Sequence, residues 1–292
     1  MRIFFQNLIY LVEFLLLKII FFLLNIFPIS FVSKFGGILF MTFGQLTNSH
    51  KTAIKNCKQV FQNMENKKIK KIVLKSWENL GRTIFELIKL KKITANKNNI
   101  NISGLQNIDK IIKNKIPAIY FGIHQSNWEI CVPLLDKMDI KVGAIYRHIN
   151  NAFVDQFVLN QRNLALTTNF SFYTPKGKKS AKDVIENVKK NNSVFLLIDQ
   201  KDSAGEEIIF FNKPIKTQTG FLKIARKYKI PIVPMENKRL GNGKFLINFH
   251  KPFYNNEVEI SDQDMMIKIH KIIEKWILEN PQQWLWQHNR FN

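Results

Sequence analysis

Residues 118–135 read AIYFGIHQSNWEICVPLL: an apolar run, a polar step and a second apolar run. If the first run is a buried strand and the second a helix, His124 and Glu129 lie at the end of a sheet, where α/β proteins place their chemistry. On one continuous helix, five positions set two side chains about 140° apart. Only a strand-to-helix bend lets the imidazole and the carboxylate meet. Ser126 and Asn127 are candidate caps for the helix that follows, with Glu129 in its first turn.

The same alternation continues downstream. Short apolar runs recur at 117–123, 141–146, 170–175, 193–199, 231–235 and 244–250, and helix-like stretches fall near 127–137, 152–165, 179–190 and 217–228, with a last helix near 262–279. Strand alternating with helix predicts an α/β fold, a mixed and largely parallel sheet flanked by helices. Upstream, 50–61 and 63–92 have helical spacing. In the second, Ile69, Ile72, Val73, Trp77, Leu80, Ile84, Leu87 and Ile88 form one stripe. The Asn-rich 94–104 reads as a connection.

Residues 3–27 are apolar apart from Gln6, Asn7, Glu13, Lys18 and Asn25. About 20 such residues span a hydrocarbon core of roughly 30 Å, but Glu13 and Lys18 are costly at its centre. Spanning and interfacial placements both remain open. No small-x-small cleavage site follows, so the segment reads as a retained anchor rather than a signal peptide. Pro28 and Gly36-Gly37 separate it from a second apolar stretch at 38–46, which can lie against the same membrane. The organisation expected is a membrane-associated helical segment, 1–46, and an α/β domain, 47–292.

Lys and Arg number 44 against 22 Asp and Glu, a formal charge of +22 over 292 residues. The excess favours anionic partners without choosing among nucleic acid, anionic lipid and an acidic protein. Abundant Lys, Asn and Ile also suit an AT-rich genome, which discounts the charge as evidence. No finger, helix-turn-helix or RNA-binding motif appears, so nucleic acid is not an expected partner. Cys57 and Cys131 have no metal-type spacing and read as free thiols. The other histidines, His50, His148, His250, His270 and His288, are dispersed and no His-Glu-x-x-His run occurs, so no metal is expected.

A carboxylate on one imidazole nitrogen leaves the other as a base. Such a pair needs no nucleophilic Ser or Cys to deprotonate a substrate hydroxyl that then attacks an activated acyl carbon. Trp128, between them, reads as core or as the wall of an acyl groove.

GIHQSNWE (122–129) resembles the His-x-x-x-x-Asp/Glu block of glycerolipid-type acyltransferases, and more closely the His-x-Gly-Asn-Trp-Glu form of the bacterial lipid A late acyltransferases. IYRHINNAFVDQFVLNQR (145–162), VFLLIDQKD (194–202), IIFFNKPIKTQTGFLKIARKYKIPIVPM (208–235) and the ending PQQWLWQHNRF resemble further blocks of that family, in order along the chain. Two family glycines are replaced, by Ser126 and by Asn212, at positions that bear on the shape of the substrate channel.

The resemblance implies a glycerolipid acyltransferase-like fold and His124 as general base with Glu129 as its orienting carboxylate. It also implies substrate-binding roles for Arg147, Arg162, Asp199 and Gln200. Arg147 can hold an acceptor phosphate or an oxyanion, or be a surface arginine. Arg162 can serve the substrate or a salt bridge within the fold, and Asp199 can touch substrate or tether an arginine. Asn150 and Asn151 read as caps, and Lys176, Lys178 and Lys179 as a solvated turn or a phosphate contact. The implied activity moves a fatty acyl chain from acyl carrier protein or acyl-CoA to a hydroxyl of a lipid A precursor. It needs no cofactor and takes place on the cytoplasmic side of a bacterial inner membrane. The rival enzyme reading is acylation of another glycolipid or lysolipid. The rival outside enzymes is a non-catalytic basic protein that binds membrane or nucleic acid.

Overall fold

A computed structural model describes residues 2–241, 243–254 and 260–291. Helices α1 (Arg2–Leu24), α2 (Ile29–Phe43), α3 (Asn48–Val60), α4 (Asn66–Glu86) and α5 (Leu90–Ala95) come first. The alternating region follows as β1 (Ile100–Ser103), α6 (Leu105–Lys113), β2 (Ile119–Gly122), α7 (Cys131–Lys137), β3 (Val142–Tyr146), α8 (Ala152–Leu164), β4 (Phe172–Pro175), α9 (Lys178–Lys189) and β5 (Ser193–Leu197). It ends with β6 (Glu206–Phe210), β7 (Lys213–Thr217), α10 (Gly220–Tyr228), β8 (Ile232–Gly241), β9 (Lys244–Phe249) and α11 (Asp262–Glu279).

The main sheet has the order β1-β9-β8-β2-β5-β3-β4. β2 lies parallel to β8 and β5, and β3 parallel to β5 and β4. β9 runs antiparallel to β8 with β1 parallel beside it, so the two strands at that edge are reversed. The mixed, largely parallel sheet flanked by helices is thus the one the strand–helix alternation predicts. β2 is buried on both faces, which is why IYFG shows no alternation.

Three differences from the expected elements have local causes. Residues 94–104 are not all connection, because INIS forms the short edge strand β1 on β9. The helix expected over 63–92 breaks after Glu86 into a 3-10 turn and α5. Residues 206–217 form the antiparallel hairpin β6–β7, and the helix expected from 217 starts at Gly220.

α2 lies close along α4. Gly36 faces Gly81 and Phe85, and a Cβ placed on Gly81 would sit 2.2 Å from the Gly36 carbonyl oxygen. α1 covers α8 and α4 through Phe14 on Phe153 and Phe157, and Phe21 on Phe85 and Phe157. Glu13, costly in an apolar helix, accepts from the Asn151 amide at 3.1 Å. The rest of α1 is largely exposed, including Leu16 and Phe22. α1 and the stretch beginning at Ile29 are each long and apolar enough to cross a membrane.

Candidate functional site

Strand register builds the site. Gly122 pairs with Leu197, so the residues two positions further along each chain, His124 and Asp199, come side by side beyond the C-terminal ends of β2 and β5. Nδ1 of His124 lies 2.7 Å from Oδ1 of Asp199. The backbone N–H of His124 and the indole N–H of Trp284 donate to Oδ2 at 3.1 and 2.8 Å. Burial pushes the Asp199 carboxyl up, but the His124 charge and hydrogen bond, Trp284 and the Arg290 charge outweigh it and hold it down at about 2. With an ionised acid on Nδ1, that nitrogen keeps its proton and Nε2 is the ring nitrogen left to exchange one. The Gln200 amide lies 3.3 Å from Nε2, and the side chain of His124 keeps 15% of its surface open.

The hydrogen bond expected from the imidazole to Glu129 is therefore corrected: Asp199 takes the place of the acceptor. Asn127 accepts from the Glu129 N–H at 3.1 Å and opens a 3-10 turn over Trp128–Ile130 before α7. That turn aims Glu129 at α8, where Arg162 donates through Nε and Nη2, both at 2.7 Å, in a bidentate buried pair. The Trp128 indole also donates to Glu129 at 3.1 Å. Burial raises the Glu129 carboxyl, and the Arg162 charge and bonds more than reverse this, leaving it lowered. The Arg162 guanidinium also lies over the rings of Tyr146 and Tyr173, at 5.4 and 5.7 Å. Of the two roles open to Arg162, the structure shows the ion pair. Asp199 tethers an imidazole rather than an arginine.

Trp128 is half-buried, edge-on to His124 with ring centroids 5.1 Å apart, and so flanks the imidazole rather than filling the core. Arg147 follows β3 at the same sheet edge and is exposed. No hydrogen bond or ion pair from it occurs among the described residues, while its charge reaches His288. Asn151 caps α8 as expected, accepting from the N–H groups of Phe153 and Val154. Lys176 pairs with Asp202 at 3.0 Å, and the side chains of Lys178 and Lys179 lie outside the described residues.

The replaced glycines have a backbone explanation. Ser126 has φ 58° and Asn212 φ 57°, both left-handed conformations that glycine adopts freely.

The C-terminal segment packs against the site, although neither Trp284 nor Arg290 is among the site residues expected from sequence. The Leu285 N–H donates to the His124 carbonyl at 2.9 Å, and Gln125 bridges Trp284. Arg290 is buried over the Phe210 ring, and burial pushes its guanidinium down to about 10, against the opposing pull of Asp199. The family-like ending PQQWLWQHNRF was the available signal, carrying two buried tryptophans and this arginine. Burial pushes the Cys131 thiol up to about 12, which removes it as a nucleophile.

An acid-paired imidazole at the strand ends of an α/β sheet is an arrangement able to move a proton. The family profile of bacterial lipid A biosynthesis acyltransferases matches residues 2–292, and the chain belongs to that family. It is an acyltransferase that transfers to a lipid. The chain is 22% identical over 248 residues to the lipid A biosynthesis lauroyltransferase of Escherichia coli (strain K12), covering 81% of this chain and 77% of that one. A crystal structure of the 1-acyl-sn-glycerophosphate (LPA) acyltransferase from Thermotoga maritima is similar with a TM-score of 0.40 and 16% identity, over 92% of this chain and 97% of that one.

Proposed function

We propose that this protein is a membrane-bound O-acyltransferase that moves a fatty acyl chain from acyl carrier protein or acyl-CoA to a hydroxyl of a lipid A precursor. The observation that carries the reading is His124, held through Nδ1 by Asp199, with Nε2 at the partly open end of the sheet. Nε2 takes the proton of the acceptor hydroxyl as its oxygen attacks the thioester carbonyl. The imidazolium then returns the proton to the departing thiolate, so atoms and charge balance across the transfer. Asp199 fixes the tautomer and stabilises the imidazolium.

Glu129 and Arg162 act as a rigid pair that sets the wall beside Trp128. Arg147 is placed to meet an acceptor phosphate or the oxyanion of the collapsing thioester, and Gln200 to orient the hydroxyl. The apolar faces of α1 and α2 hold the site at the inner membrane, facing the cytoplasm.

Mass spectrometry of lipids from a host lacking its own late acyltransferases, supplied with this chain, tests the reading. The expected result is one added secondary acyl chain on lipid A, absent with His124→Ala. Unchanged lipid A with altered phospholipids or another glycolipid would replace the acceptor class. Activity equal to wild type in His124→Ala would remove the base.

A further inference from the structure

Glu86, at the C-terminal end of α4, is fully buried and has no part in the chemistry above. Three donors from three elements converge on its carboxylate. Oε1 accepts from Ser33 Oγ of α2 at 2.6 Å and from Arg239 Nη1 of β8 at 2.5 Å, and Oε2 accepts from Asn127 Nδ2 at 2.7 Å. Asn127 is the residue whose Oδ1 caps the turn that carries Glu129, and its carbonyl accepts from Asn237 Nδ2 at 2.5 Å. One residue earlier, the Ser126 carbonyl accepts from Asn79 at 3.0 Å and Thr83 at 2.7 Å, both on α4, and both of these side chains also bind Arg239. The turn between His124 and Glu129 thus hangs on one face of α4, whose glycine contact with α2 leaves no room for slack.

We propose that Glu86 is a positioning residue that couples the seating of α2 to the geometry of the turn between His124 and Glu129. The left-handed conformation at Ser126 is strained for a residue with a Cβ, so the turn depends on bonds from outside itself. Hydrogen bonds to a buried carboxylate are charge-assisted, and loss of the Ser33 bond leaves Oε1 with Arg239 alone. A shift of α2 that breaks the Ser33 bond changes the pull of Glu86 on Asn127. The outer face of α2 exposes Phe31, Phe35, Ile38 and Phe43. On the membrane placement proposed above, the bilayer thereby bears on the turn beside His124. The coupling inside the chain does not depend on that placement.

Hydrogen–deuterium exchange on the full chain in detergent micelles is the deciding measurement, because it reads the turn without an acyl-transfer assay. Ser33→Ala is expected to speed exchange of the amides of residues 125–130 by about fivefold, and Ser33→Ala/Glu86→Gln to exchange no faster than Glu86→Gln alone, the signature of shared action. Unaltered exchange in Ser33→Ala, or effects that multiply in the double variant, would overturn the proposal. Should Glu86→Gln fail to fold, the pair Ser33→Ala and Asn127→Ala decides in the same way. In steady-state kinetics, Ser33→Ala is expected to lower kcat with KM changed less than about twofold, and a fall in kcat/KM through KM alone would also count against it. A wild-type chain with no acyl transfer but coupled exchange would sink the activity and leave the coupling standing.

Discussion

Asp199 binds the imidazole with one oxygen, and the backbone of the same histidine and the Trp284 indole with the other, so both ring plane and tautomer are fixed. Asp199→Asn is expected to lower kcat by about 10²–10⁴-fold, the range for disabling a positioned base, while Glu129→Gln acts through the Arg162 pair and its neighbours. Steady-state kinetics on the two variants checks this, and near-wild-type kcat in Asp199→Asn would reject the role. The lowered carboxyl also has a stability consequence. Its folded value of about 2 lies below the ordinary 3.8, so the anion stabilises the fold above pH ~4, and this increment is lost as pH falls toward ~2. The Tm of the wild type is expected to fall more steeply than that of Asp199→Asn across that window. The sequence showed that His124 stands at a strand end near a carboxylate. It could not show which carboxylate, because Glu129 is near in sequence whereas Asp199 is near only through the β2–β5 register.

Elements buried on both faces or periodic over many residues were legible, as IYFG and the stripe of α4 show. β1 was not, because INIS is four residues of alternating Ile and polar side chains inside an Asn-rich stretch and becomes a strand only by pairing with β9. The hairpin β6–β7 contains Pro214 and two exposed glutamates, which hide its strand pattern. Nothing in the periodicity of α2 or α4 announced their close approach, since a glycine registers in sequence as a weak helix position. At Gly81 it is a steric requirement. Gly81→Ala would press a methyl group into the Gly36 backbone. Overpacking of this kind costs about 1–3 kcal/mol, and a Tm lowered by several degrees in thermal unfolding is expected. An unchanged Tm would mean that α2 can move away from α4 without cost.

Over the whole molecule, two kinds of surface are available for the membrane association proposed above. The formal charge of +22 suits an anionic bilayer, and the exposed apolar residues of α1 and α2 suit its hydrocarbon. Salt separates them, because the Debye length shrinks from about 10 Å at 0.1 M to about 3 Å at 1 M, whereas burial of apolar side chains is not screened. On α1 Glu13 is bonded to Asn151 of the protein, and the exposed Leu8, Val12, Leu16, Ile19 and Leu23 supply apolar surface for a bilayer. The full chain is therefore expected to float with uncharged phosphatidylcholine vesicles in a density gradient at about 1 M salt. Leu16→Asp/Phe22→Asp, on the outward face, places two carboxylates where each costs about 2.5–3.5 kcal/mol at a bilayer centre, and is expected to shift the chain to the soluble fraction. Release of the wild type at about 1 M salt would overturn apolar attachment, and flotation of the double variant equal to wild type would remove α1 as the anchor and leave the exposed apolar residues of α2 to carry it.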